Sequence, residues 1–294
     1  MFRIIDYIRL VRFQHTVFAL PFALIAFAYE WWRREPAGDL APLWLRLGVP
    51  LVQVLLCMVF ARNTAMGFNR WADRRIDAEN PRTAGREIPS GVISPRRALT
   101  FVAVNAVLFM ACAATINRLT AWLSPVALAV VMGYSYCKRF TWAAHLVLGL
   151  SLGIAPVGAA IALTGRFSLE PCILSLLVMT WCGGFDIVYA LQDAEFDRTH
   201  GLHSIPQRFS PRTALAVSTA LHAVSIAALF WFGSRCPQGV LLWTGEALFA
   251  AILAAEHLLV TPSRQRNIGI AFGTLNGLAS LTLAVFVTAQ LIVG

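Results

Sequence analysis

Apolar residues in this chain come in blocks rather than singly, and the blocks repeat at the length of a membrane crossing. An α-helix rises about 1.5 Å per residue, so about 20 apolar residues in a row span the hydrocarbon layer. Such blocks run over 16–32, 43–62, 98–116, 119–137, 143–164, 171–191, 214–232, 239–259 and 268–293. The pattern predicts an all-α, polytopic membrane protein with nine transmembrane helices in a single domain over 1–294.

Ahead of the first block, Ile4, Ile5, Ile8 and either Leu10 or Val11 recur at helical spacing among Arg3, Asp6, Arg9 and Arg12. Such a segment suits a short helix lying in the membrane interface, or an extension of the first span. The first block lacks a small-residue cleavage site and continues into Tyr29-Glu30-Trp31-Trp32-Arg33. It therefore reads as a retained span, not a removed signal.

Most connections are a few residues long, but 69–97 and 193–212 are long and polar. Long loops in a compact domain are usually functional or disordered. These two share an order of parts. The first carries Asp73-x3-Asp77, Ile88-Pro89 and Ser94-Pro95-Arg96, and the second Asp193-x3-Asp197, Ile205-Pro206 and Ser210-Pro211-Arg212. Each Ser-Pro reads as a helix N-cap with proline at the first helical position. An internal quasi-repeat, 43–116 and 171–232, folded around a shared site, is the expectation.

Composition supports the membrane reading: 58% of the 294 residues are hydrophobic and 13% charged, about half the charge of a soluble domain. A net charge of +9 could suggest a nucleic-acid partner. Here the basic residues sit in alternate loops, seventeen on the side of the N-terminus and the two long loops against six on the other. That asymmetry reports orientation, with the N-terminus and the long loops in the cytoplasm and no nucleic acid bound. Cys57, Cys112, Cys137, Cys172, Cys182 and Cys236 show no metal or redox spacing and read as small packing residues.

Residues four apart on a helix share a face. Asn69, Asp73 and Asp77 thus form an oxygen-bearing column past the end of the second span, with Arg62 on the same face. Asp186, Tyr189, Asp193 and Asp197, at steps of three and four, form a second column at the end of the sixth. A single acid would more simply cap a helix or pair with a neighbouring arginine. Two opposed carboxylate columns without histidine or cysteine ligands favour a hard cation, Mg2+ above all, which is held together with substrate phosphates. Tyr134-x3-Lys138-Arg139 closes the fourth span with a hydroxyl, a point charge and a planar fork suited to oxyanions. By itself such an end also serves as a membrane anchor. His200 and His203 read as solvated loop residues, and Glu246, Glu256 and His257 as interfacial residues or an internal polar pair.

Together, Asn69-x3-Asp73-x3-Asp77, Tyr134-x3-Lys138-Arg139 and Asp186-x2-Tyr189-Ala190-x2-Asp193-x3-Asp197 resemble the signatures of the UbiA superfamily of intramembrane aromatic prenyltransferases. The runs Asn80-Pro81-Arg82-Thr83-Ala84-Gly85-Arg86 and Gln192-Asp193-Ala194-Glu195-Phe196-Asp197-Arg198 are similar to its bacterial 4-hydroxybenzoate polyprenyltransferase-like branch, which includes futalosine-route menaquinone members. The resemblance implies helices around a central cavity under cytoplasmic cap loops. It also implies Mg2+-dependent transfer of a polyprenyl group from its diphosphate to an aromatic acid, 4-hydroxybenzoate or dihydroxynaphthoate, for ubiquinone or menaquinone. Asn69, Asp73, Asp193 and Asp197 would hold two Mg2+ ions, with Asp77 beside them; Lys138, Arg74 and Arg82 would add positive charge at the diphosphate. Arg139, and second to it Arg62, would take the acceptor carboxylate, while Tyr134, Tyr189 and Asp186 orient the substrates or remove a proton. The rival from another class is an ion-coupled transporter, whose acids are expected nearer the membrane centre.

Overall fold

The structure, a computed structural model, describes residues 4–12, 18–34, 44–261 and 267–294. The predicted starts of the first two spans, at 16 and 43, and Arg3, Arg264 and Arg266 of the charge count lie outside the described residues. α1 (Ile4–Leu10) precedes α2 (Leu20–Trp32), and α3 (Val49–Ala72) follows a π-helical turn at Trp44–Gly48. The first cap is α4 (Arg74–Glu79) with the chain to α5 (Pro95–Ala114), then α6 (Arg118–Cys137), α7 (Ala144–Thr164) and α8 (Leu169–Ala190). The second cap is α9 (Ala194–Thr199) and α10 (Ile205–Arg208), followed by α11 (Pro211–Gly233), α12 (Val240–Leu259), α13 (Ile268–Ile270) and α14 (Asn276–Val293).

Eight stretches of the described residues are long and apolar enough to cross a membrane, where the sequence predicts nine. The difference is α2. Its 13 residues give about 20 Å of helix, short of the roughly 30 Å hydrocarbon layer. Yet Phe22, Ala23, Ile25, Ala26 and Tyr29 are buried in it, so it is an interior element.

Caps set the registers. Ser94 Oγ accepts from the Arg97 N–H and Ser210 Oγ from the Thr213 N–H, each with proline next, as the Ser-Pro pairs predict. Asn117 and Thr120 close a reciprocal capping box at the start of α6.

Successive long helices from α5 to α12 pack on one another, α14 packs on α2 and α12, α2 packs on α7, and α3 on α5 and α6. Leu174, Leu177, Val178, Trp181, Cys182 and Phe185 of α8 are all buried, against Phe22 of α2, Leu229 of α11, Phe249 of α12 and Leu283 of α14. The α7–α8 contact is the most extensive. A Cβ on Gly149 would stand 2.1 Å from the Met179 carbonyl oxygen, and one on Gly153 2.9 Å from that of Ser175. Without a hydrophobic force between helices in lipid, such small residues bring backbones into van der Waals contact. α8 is thereby held so that its last turn and the second cap face the end of α3.

Candidate active site

At the end of α3 the column survives a break in the helix. Asp73 caps α3, but its N–H still bonds the Asn69 carbonyl at 2.9 Å, and the Asp77 N–H bonds that of Asp73 at 2.7 Å. The four-residue repeat therefore keeps the three side chains on one face. Asn69 Nδ2 donates to Asp73 Oδ2 at 3.1 Å, Arg139 to Asp73 Oδ1 at 3.2 Å and Arg86 to Asp77 Oδ1 at 2.7 Å. Asp77 Oδ2 is buried with no hydrogen-bond partner among the described residues. Burial pushes the Asp73 carboxyl above the usual range, and Lys138 and Arg139 oppose that push.

The second column is bent. After Ala190 the chain tightens into a 3-10 turn over Leu191–Asp193 before α9 begins, and Asp193 meets the first cap while Asp197 meets the second. Arg82 Nε donates to Asp193 Oδ1 at 2.9 Å, its Nη2 makes a close contact with Oδ2, and Asn80 Nδ2 adds a bond to Oδ1 at 3.2 Å. Arg82 Nη1 also donates to the Tyr189 hydroxyl at 2.7 Å. The first loop thus reaches across to the second column. Ser204 Oγ donates to Asp197 Oδ2 at 2.9 Å.

These side chains line a cavity of about 250 Å³. Its walls bring together Arg62, Asn69, Asp73, Asp77, Arg82, Tyr134, Lys138, Asp186, Tyr189, Asp193 and Asp197. Arg74 and Arg139 are not among the lining residues. Arg74 turns back on its own helix end, over the Trp71 ring at 4.7 Å with a 2.7 Å bond to the Trp71 carbonyl. Arg139 is held by Asp73 and by the Ala72 carbonyl at 2.7 Å. His203, expected to be solvated, instead stands in the cavity wall, because its N–H is tied to the Lys138 carbonyl at 2.6 Å. Glu246 and Glu256 are buried and His257 meets His222 at 2.9 Å, in keeping with the internal polar alternative.

Sequence spacing did not single out Arg70, Asn80, Arg86, His145 or Ser204, all in the same wall. Asn80 and Arg86 were signalled by the run 80–86 and not by helical spacing, since the chain between α4 and α5 is a string of turns. His145, which bonds Asp186 at 2.7 Å, had no signal, since it opens a different helix. Phe272 also lies in the wall, on a π-helical turn over Ala271–Leu275, with its ring 4.2 Å from that of Tyr189. π-bulges recur at functional sites.

A second cavity, of about 480 Å³, lies beside the first between α3, α5, α6 and α7 and is lined almost wholly by apolar side chains. Arg62, Met66, Tyr134, Leu148 and Leu152 belong to both walls. A charged chamber therefore adjoins a hydrocarbon-lined one, with Arg62 and Tyr134 at the join.

Among the described residues no three His, Cys, Asp or Glu side chains form a ready-made metal cage. The donor set still suits Mg2+: every candidate atom is an oxygen, the carboxylates of both columns line one cavity, and Asp77 Oδ2 is buried without a partner among the described residues. Magnesium is commonly held by one or two carboxylates together with substrate phosphates.

The sequence model of the UbiA prenyltransferase family matches residues 19–281. The chain belongs to that family. It is 31% identical over 239 residues to the 4-hydroxybenzoate octaprenyltransferase of Aliivibrio fischeri, covering 77% of this chain and 80% of that one. A UbiA homologue from Aeropyrum pernix shares its fold with a TM-score of 0.77 and 30% identity, over 95% of this chain and 97% of the other. A UbiA homologue from Archaeoglobus fulgidus, solved bound to GPP and Mg2+, superposes with a TM-score of 0.72 at 19% identity over 98% of this chain and all of its own. This UbiA-family chain is an integral membrane prenyltransferase, which sets aside the transporter reading.

Proposed function

We propose that this prenyltransferase moves a polyprenyl group from its diphosphate onto the ring of 4-hydroxybenzoate, with Mg2+, in quinone synthesis. The observation that carries the reading is the join between the two cavities: a diphosphate fits the charged chamber while its isoprenoid tail lies in the apolar one. The relatives' named acceptor supplies the aromatic acid.

Asn69, Asp73, Asp77, Asp193 and Asp197 would hold Mg2+, which supplies charge that stabilises a departing diphosphate. Arg82 and Arg86 bond Asp193 and Asp77 and are placed to turn to phosphate oxygens, beside Lys138. Arg62 takes the acceptor carboxylate: it stands in the wall of both cavities, with Nη2 held by the Val11 and Arg12 carbonyls and Nε buried without a partner among the described residues, whereas Arg139 lies outside both linings. The allylic carbon–oxygen bond breaks with its electron pair on the diphosphate, and a ring carbon next to the hydroxyl forms the new carbon–carbon bond. As it does, the hydroxyl proton passes to Asp186, leaving a dienone. The dienone then loses its ring hydrogen as a proton to the released diphosphate, and Asp186 returns its proton to the oxygen. Enclosure by apolar walls keeps water from the electron-poor carbon.

Purified protein in nanodiscs, given one polyprenyl diphosphate, Mg2+ and either 4-hydroxybenzoate or dihydroxynaphthoate, should yield the prenylated hydroxybenzoate by mass. Chelation should stop the reaction and added Mg2+ restore it. A product from dihydroxynaphthoate alone would transfer the assignment to the menaquinone route. The caps face the cytoplasm on this reading, from the seventeen-to-six excess of basic residues on their side. An impermeant thiol reagent should label Ser90→Cys in inverted vesicles and not in right-side-out ones; the opposite result reverses the orientation.

A further inference from the structure

His145 stands in the cavity wall without a task in the steps above. It lies in the first turn of α7, is buried, and touches two other elements. Its Nδ1 is 2.7 Å from Asp186 Oδ2, and its Nε2 is 3.2 Å from the backbone nitrogen of Ile205. A backbone N–H can only donate, so Nε2 must accept and carries no proton. The ring hydrogen is then on Nδ1 and points to Asp186. The result is a one-way chain from the Ile205 N–H through the imidazole to the Asp186 carboxylate. It occupies Oδ2 and leaves Oδ1 for a substrate.

The chain has a second end. Ser204, the residue before Ile205, donates its hydroxyl to Asp197 Oδ2 at 2.9 Å. Ser204 and Ile205 form the start of α10, so one rigid turn grips both Asp197 and His145. Asp197 belongs to the carboxylates assigned to the diphosphate side, whereas Asp186 faces the acceptor.

We propose that His145 is a positioning residue: it holds Asp186 as the acceptor of the aromatic hydroxyl's hydrogen bond and links it, through Ser204 and Ile205, to the carboxylates of the donor side. The inference rests on the reading that Asp186 receives the hydroxyl proton. That proton moves from the acceptor oxygen to Asp186 and back. His145 keeps its Nδ1 hydrogen throughout, because a proton on Nε2 would oppose the Ile205 N–H.

Two amides separate the two bonds. Asparagine places its NH2 near the Nδ1 position and cannot reach Ile205; glutamine reaches Ile205 with its oxygen and offers Asp186 nothing at Nδ1. In full-length protein in nanodiscs, with Mg2+, geranyl diphosphate and 4-hydroxybenzoate, His145→Gln should lower kcat about 10–100-fold, the usual range for an orienting partner. KM for both substrates should stay within about threefold. His145→Asn should keep kcat within about threefold and raise KM for the diphosphate, since only the loop tie is lost. Nitrogen-15 chemical shifts of His145 in the wild type should report the neutral Nδ1–H tautomer. Wild-type kcat in His145→Gln, a parallel loss of kcat and of binding in both variants, or an Nε2–H or charged ring would each overturn the inference while wild-type turnover stands. Failure of the wild type with either acceptor would overturn the proposed function instead, and Asp186's part with it.

Discussion

At the scale of single residues, three of the working carboxylates meet an arginine, Asp73 with Arg139, Asp77 with Arg86 and Asp193 with Arg82, while Asp197 meets Ser204 and Asp186 meets His145. In a partly buried chamber a carboxylate without a partner is costly, so these bonds hold the acidic side chains in place while the site is empty of substrate. Asp73→Ala and Asp193→Ala should each lower kcat/KM by about 100-fold or more, as loss of a ligand to a catalytic ion does; near-normal turnover in both, assayed in nanodiscs, would remove the metal assignment. The arginines separate by position. Arg62→Ala should raise KM for the aromatic acid about 10-fold or more, since a bond between charged groups is worth about 1.5–3 kcal/mol, whereas Arg74→Ala, outside the lining, should leave both KM values near those of the wild type. An acceptor KM that moves with Arg139→Ala and not with Arg62→Ala would reverse the assignment. Asn69, Asp73 and Asp77 were legible in the sequence because a four-residue step along one helix is a local geometric fact. The pairings with arginine were not: Arg139 is 66 positions from Asp73 and Arg82 is 111 from Asp193, separations no periodicity encodes.

Among elements, apolar block length and N-caps carried most of the fold. Blocks of about 20 residues became helices of 18 to 24 residues among the long spans, with their starts set by Ser94, Asn117 and Ser210. α2 is the shortest of these elements among the described residues, and its burial was not legible, because block length reports that a segment is apolar and not what walls it. The α7–α8 contact was also hidden, because the glycines that permit it look like any others in a membrane helix. Gly149→Leu should fail to pack against the Met179 carbonyl and lower the melting temperature in detergent by several degrees or prevent folding, through the overpacking cost of about 1–3 kcal/mol or more. An unchanged melting curve would mean that α7 and α8 do not approach so closely.

The whole molecule adds what neither residues nor helices hold: two cavities joined at Arg62 and Tyr134. The apolar one passes Ala127, seven residues, or about two helical turns, beyond Tyr134 along α6. Ala127→Trp should therefore block long donors and spare short ones. Product analysis should show transfer from geranyl diphosphate retained, and transfer from an octaprenyl donor reduced about 10-fold or more if the bulk costs 1.4 kcal/mol or more. Equal losses with both donors would place the tail elsewhere.

From the residues alone came the membrane class, the two carboxylate columns and the chemistry they favour. Each depends on local quantities: how apolar a block is, and which side chains recur on one face of one helix. Packing alone decided that Arg139 turns to Asp73 and away from the chamber, that Arg82 crosses to the opposite column, and that His145 meets Asp186. Those contacts join segments far apart in the chain, and their positions follow from how closely helices such as α7 and α8 approach, which no local pattern records.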